Sequence, residues 1–338
     1  MVMTYSEFMA SKPVSHFSCG QENRPHAFGK FFKTVQADSS PERMERLKEM
    51  LRKSKTGRQT LEFLEQKGSD MIFEAMDYYG YFSPDENKVA LNPAMSDEDL
   101  AVTFVHEVRH AWQDSQMETT TPTMTPKSFL VSGFLIEADA CAAEVTYAHE
   151  MRETNPEIWE AHQQSCYAPM STAFAEEFEK SGDIAKAREA ALKTWYDLGV
   201  KNHYADSYTN YLAAVSTRAI MMHDELFYEN RPTDVIVDTL CHDYDGKQFF
   251  KDAPVLETPE KLNLNTSQAT RLNNSLRYYM RYNNKTAEDL GLDKITVIKK
   301  SGKTTTCAEM LNKPQQSKSS QTKNNAAAVA LANRSLMR

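Results

Sequence analysis

The sequence predicts a mostly helical α+β protein, with a small antiparallel sheet packed on one long helix and a large helical C-terminal half. Three observations predict it. Period-two apolar patterning is confined to residues 71–92. Helical spacing of apolar residues dominates from residue 97 to residue 282. The chain also has only 11 Gly and 13 Pro in 338 residues, too few turn formers for a many-stranded sandwich.

The elements follow in order. Residues 1–40 are polar, carry Pro13, Gly20 and Pro25, and read as a loosely structured lead-in. Ser40 followed by Pro41 is a helix start, because the hydroxyl caps free backbone N–H groups and proline suits the first helical position. Met44, Leu47, Met50 and Leu51 continue that helix, and another is expected over 60–66. Met71 to Met76 reads as a short strand. The runs 78–82 and 88–92 flank the turn-forming Ser83-Pro-Asp-Glu-Asn, a hairpin signal. Ser96 with Asp99 three residues later predicts a capping box and a helix over 97–116. A Thr/Pro loop then leads to a second long helix over 128–153. Further helices are expected over 158–164, 170–180, 184–198, 208–228 and 267–282, and the aromatic run Tyr278-Tyr-Met-Arg-Tyr should face a helical core. The low-complexity basic end, residues 314–338, reads as disordered, with a short helix possible over 326–337. The expected organisation is therefore a core at 41–155 and a helical region at 156–313 that completes or covers it.

Composition narrows the function classes. Net charge is −8, but residues 261–338 carry 14 basic against 4 acidic side chains, which leaves −18 on the first 260. An acidic body argues against nucleic acid as a partner there, and the basic end reads as a solvated tail. No run of apolar residues is long enough to span a membrane, so no membrane partner is expected. The start of the chain lacks a secretory pattern, and five scattered cysteines without a CxxC pair read as reduced thiols. The expected location is the cytoplasm.

The chemistry is concentrated in His106-Glu107-Val-Arg-His110. Two histidines four apart on a helix project about 40° from each other, so both can reach one metal ion. Glu107 stands to the side, at about 100° from His106, where it can take a proton from a water at the metal. The rest of this helix is apolar nearly all round, so burying three such side chains is costly unless a cation compensates them. A catalytic zinc usually takes three protein ligands. The next long helix offers Glu137, on an apolar face with Gly133 one turn earlier, where two helices could approach. Glu144 and Cys141 share that face and compete for the role, whereas Asp139 points to the opposite side.

The segment His106-Glu-Val-Arg-His110 followed by Glu137-Ala-Asp-Ala resembles the zincin metallopeptidases of the glutamate-ligand type, the gluzincins. It is closest to uncharacterised bacterial metallopeptidases with a His-Glu-x-Arg-His motif. The likeness covers residues 69–150, about a quarter of the chain. It implies Zn²⁺ as cofactor, His106, His110 and Glu137 as ligands, Glu107 as general base, and hydrolysis of peptide bonds in a protein or peptide substrate. Cys141 stands four residues after Glu137 where the better-known pattern has Asp, which leaves the carboxylate that orients the histidines unassigned. Donors for the oxyanion are sought among Tyr147, His149, His203, Tyr204, Tyr208 and His223, with His203-Tyr204 favoured. Arg109, beside the ligand face, should pair with an acidic neighbour rather than bind a substrate carboxylate. Two alternatives remain: an inactive zincin-like scaffold using its helical half, and a nucleic-acid-associated zincin using its basic end.

Overall fold

The computed structural model describes residues 37–117, 120–222 and 225–312. The expected lead-in (apart from its last few residues), the basic tail and the 326–337 helix lie outside the described residues.

The chain is α+β and mostly helical. Helix α1 (Pro41–Leu51) starts where Ser40 Oγ accepts from Arg43 N, with Pro41 in its first turn. Helix α2 (Lys55–Lys67) begins earlier than the expected 60–66 because Ser54 caps it, and it stops at Gly68, whose φ of 66° suits glycine. Strands β1 (Asp70–Phe73), β2 (Gly80–Ser83) and β3 (Lys88–Leu91) form a sheet of order β1-β3-β2. The hairpin is present: Gly80 faces Leu91 and Ser83 faces Lys88 in an antiparallel pair. The expected all-antiparallel sheet is corrected at its other edge, where β1 runs parallel to β3. The segment between Phe73 and Gly80 reverses the chain but carries β2 to the far edge, so that β3 returns between β2 and β1; Asn92 pins that segment by donating to Met76 O and Tyr78 O.

Helix α3 (Asp97–Gln116) carries the His-Glu-x-x-His motif and lies against β2. Gly80 permits the close approach, since a Cβ there would stand 2.8 Å from both Ala90 O and Thr103 Cγ2. Helix α4 (Pro126–Met151) follows, capped by Thr125. All of its 26 residues except Glu137 and Glu150 are buried, and it contributes to two hydrophobic cores. The first core joins α1, α2, the sheet and α3; the second extends from Met124 to Leu311.

Helices α5 (Pro156–Gln164), α6 (Ala168–Ser181), α7 (Ile184–Trp195), α8 (Val200–Met222) and α9 (Thr233–Leu240) pack around α4. α8 starts eight residues before the expected 208. Gly133 makes its predicted close approach, to the ring of Tyr208 on α8: a Cβ would sit 2.7 Å from that ring, whose hydroxyl donates to Gly133 O at 3.0 Å. A 3₁₀ turn (Ala253–Glu257), β4 (Asn263–Asn265), α10 (Thr266–Asn283), β5 (Thr296–Ile298), β6 (Thr304–Thr306) and α11 (Cys307–Asn312) complete the fold, with a second mixed sheet of order β4-β5-β6. The 278–282 run faces both ways: Tyr279 is buried in the core, while Tyr278 and Tyr282 are exposed. Among the described residues, no helix is long and apolar enough to cross a membrane.

Candidate metal centre

Helix α3 presents His106 and His110 on one face, and α4 brings Glu137 opposite them. The two Nε2 atoms lie 2.9 Å apart, and Glu137 Oε2 stands 3.8 Å from the first and 3.7 Å from the second. A triangle with these sides has its centre about 2.0 Å from each atom, the length of a zinc–imidazole or zinc–carboxylate bond. Glu137 Oε2 is buried and has no hydrogen-bond partner. These three side chains therefore form a group that could hold a metal ion.

The far sides of both rings decide which nitrogens carry protons. His110 Nδ1 lies 2.8 Å from Gln113 Oε1. The Gln113 amide is oriented by its nitrogen, which donates to Ile136 O at 2.9 Å and to Asp139 Oδ2 at 2.8 Å. Its oxygen must accept from His110 Nδ1–H, which leaves the His110 Nε2 lone pair facing the site. His106 Nδ1 lies 2.8 Å from Glu144 Oε1, off the line of a straight N–H bond but close enough for the carboxylate to hold a proton there. Glu144 Oε2 in turn lies 3.7 Å from His162 Nε2 on α5, and His162 Nδ1 is 2.8 Å from Ser171 Oγ. Two imidazole lone pairs would then face each other at 2.9 Å, which repels unless a positive charge stands between them. Burial opposes a charge on His106, yet the Glu144 carboxylate and contact with Cys141 raise its pKa well above the ordinary histidine range. Burial and the neighbouring His106 charge hold His110 low, against the pull of Glu137. The surroundings thus call for one cation at this point, either a proton or a metal ion.

Glu107 is buried beside the triad, and its Oε2 accepts from Phe82 N of β2 at 3.0 Å. Burial pushes its pKa up to about 7; the charge on His106 works against that rise, and Glu137 adds to it. A carboxyl poised there can accept and release a proton near neutral pH. Glu107, His106 and Glu144 border a cavity that is also lined by Tyr79, Gly80, Ile158, His162, Tyr167 and Tyr204. Helices beyond residue 155 therefore supply part of its wall.

A family model described as "Putative metallopeptidase family (DUF6782)" matches residues 27–250. The chain belongs to that family. No curated protein and no solved structure matches it. The match takes in the sheet, α3, α4 and the helices that wall the cavity, well beyond residues 69–150, where the motif resemblance lies.

Within this metallopeptidase family member, the expected site residues fall as follows. His106, His110 and Glu137 meet, with Glu107 beside them. Glu144 and Cys141 lie on the other side of His106, near Nδ1, as a second donor group. Arg109 is fully buried and paired with Asp139 at 2.5 Å, as the sequence suggested, and it also donates to Leu240 O and His242 O. Of the oxyanion candidates, Tyr204 lines the cavity and its phenol hydrogen-bonds Glu137. Tyr147 is buried in the first core, and His149 is enclosed by Trp159, Phe174 and Phe178. Tyr208 is bound to Gly133 O, His203 is exposed, and His223 lies outside the described residues. Sequence reasoning missed the parts played by Gln113 and His162. Gln113 sits three residues after His110 on the same helical face, a signal that was available; nothing in the sequence pairs His162 with Glu144.

Proposed function

We propose that this metallopeptidase family member is a zinc-dependent peptidase of the gluzincin type. In this reading His106, His110 and Glu137 hold the ion, and Glu107 is the general base. The observation that carries it is the set of three inward lone pairs, two of them fixed by acceptors behind the rings, around a point at zinc-bond distance. A nitrogen–carboxylate donor set of this kind suits zinc.

When bound, zinc supplies a Lewis acid that polarises the scissile carbonyl and favours ionisation of a water. The residues of the chain do the rest. Phe82 N holds one Glu107 oxygen, so the other is free to take the proton of the attacking water and pass it to the leaving amine. Gln113 and Glu144 keep both imidazoles in the tautomer that turns Nε2 inward. Tyr204 lines the cavity with its single O–H on Glu137, and in this reading that O–H turns from the ligand to the developing oxyanion. Tyr79 and Tyr167 line the same cavity.

Elemental analysis and a peptide-cleavage assay test this together. Wild type should carry about one zinc per chain. Glu107→Gln should keep the metal and lose hydrolysis by at least ~10²-fold in kcat/KM, whereas His110→Ala should lose the metal. Hydrolysis that persists in Glu107→Gln would overturn the assigned mechanism.

A further inference from the structure

Behind His106 lies a set of donors that hydrolysis at the triad does not need. Glu137, Cys141 and Glu144 follow one another at helical spacing along one face of α4. His106 stands between them: Glu137 meets its Nε2, whereas Cys141 and Glu144 gather near Nδ1. A His106 nitrogen, the Cys141 sulfur and a Glu144 oxygen lie within 4.8 Å of one another, close enough to share one ion. His106 Nδ1 is buried and makes no aligned hydrogen bond, although Glu144 Oε1 is 2.8 Å away. Helix α5 adds an independent donor. His162 is 4% exposed, and its Nε2 has no hydrogen-bond partner. That nitrogen lies 3.7 Å from Glu144 Oε2, too far for a hydrogen bond. It is the spacing that Glu137 keeps from the two histidines, 3.8 and 3.7 Å, and it suits two ligands of one ion. Ser171 Oγ, 2.8 Å from His162 Nδ1, can accept the proton there and leave the Nε2 lone pair turned to Glu144. The Tyr167 phenol hydrogen-bonds the Cys141 sulfur, a contact that supports a thiolate.

We infer that Cys141, Glu144 and His106 Nδ1, backed by His162, form a second metal seat that shares the His106 imidazole with the triad and takes a second zinc ion. The inference rests on the triad as the first seat. Two imidazole nitrogens, a carboxylate and a thiolate suit zinc or a softer divalent ion. His106, Glu144, His162 and Tyr167 also line the cavity, which gives an ion a way in. The charges permit both states. With one zinc, Glu137 and Glu144 balance the ion, while His106 Nδ1 and Cys141 keep their protons. A second zinc replaces those two protons, so the charges of ions and ligands again cancel and no net charge is buried. Because it must expel both protons, this seat fills after the first.

The test is a cobalt(II) titration of the full chain stripped of metal, followed by absorbance. A thiolate ligand gives cobalt an intense near-ultraviolet charge-transfer band that nitrogen and oxygen ligands do not. Wild type should take up about two equivalents, the first without the band and the second with it. Cys141→Ala should lose the band and the second equivalent while keeping the first. His162→Gln should weaken the second equivalent by roughly tenfold or more and leave the first unchanged. Uptake of a single equivalent, with no band at excess cobalt, overturns the inference, and this arm needs no variant. A band or a second equivalent that survives Cys141→Ala also overturns it, because another group then supplies the ligands. A band on the first equivalent, absent from Cys141→Ala, supports the thiolate seat and sinks instead the assignment of the first ion to the triad.

Discussion

Replacing Asp139 with Asn should destabilise the protein by about 3–5 kcal/mol. Asp139 is fully buried and lies between Arg109, also fully buried, and Arg188, whose side chain is 8% exposed. One carboxylate oxygen takes Arg109 Nε at 2.5 Å and Gln113 Nε2 at 2.8 Å; the other takes Arg188 Nη2 at 2.7 Å. The amide keeps the shape but removes the one carboxylate that, among the described residues, pairs with these two buried guanidinium groups, and it turns an N–H₂ toward a donor. The loss would be a third or more of the ~5–15 kcal/mol that typically separates folded from unfolded chains. Urea unfolding measures it, with an unchanged slope confirming that the denatured state is the same. A loss below about 1 kcal/mol would refute the reasoning, because it would mean that the pair is solvated or replaceable. The pH dependence has a definite sign. Burial acts to raise the Asp139 pKa, but Arg109 and Arg188 together hold it below the ordinary carboxylate range. Its contribution is therefore fully present above pH 3.8 and is lost as pH falls through the folded value, a loss that the Asn variant should not show.

Glu144→Gln should weaken zinc binding by roughly 10–100-fold without removing a ligand, read by competition with a chromogenic chelator. Unchanged affinity would assign the orientation of His106 to another group. Gly80→Ala should cost about 1–3 kcal/mol by pressing a methyl onto Ala90 O and Thr103, and it should lower kcat by drawing Phe82 N away from Glu107 while zinc content stays constant. His149 is pushed down to about 4, by burial first and by Arg152 second. Wild type should therefore lose stability as pH falls from 6.5 towards 4, and His149→Gln should flatten that slope in urea midpoints measured at pH 7 and pH 5; parallel slopes would show that the imidazole titrates normally.

The helix that carries the His-Glu-x-x-His motif was legible because its signals are local. Ser96, the capped start, the apolar faces and the four-residue spacing of His106 and His110 all lie within twenty-one residues. Glu137 was legible at one remove, as a carboxylate on an otherwise buried helix face. The partners behind the rings were less so. Glu144 was placed on the correct face, but its two contacts, one with α3 and one with α5, depend on how three helices pack. The parallel pairing of β1 escaped because it follows from strand order, β3 lying between β1 and β2, which the path of the loop over 74–79 sets and hydrophobic alternation does not record. Strands β4, β5 and β6 escaped because three residues each are too few to show a period. Arg109 was read correctly as a structural residue, although its distance from Asp139, thirty residues along the chain, gave no hint that Arg188 would share the acid.

Helix α4 gives neither half of the molecule a boundary of its own. Ala143, Tyr147, Ala148 and Met151 belong to the core built on the first sheet, while Leu135, Ala138, Cys141, Ala142 and Val145 belong to the other. A fragment cut after this rod would leave one apolar flank bare, and a fragment cut before it would lose the central strut of the remaining helices. Melting should therefore be a single cooperative event, and limited proteolysis should release no trimmed catalytic piece that survives alone.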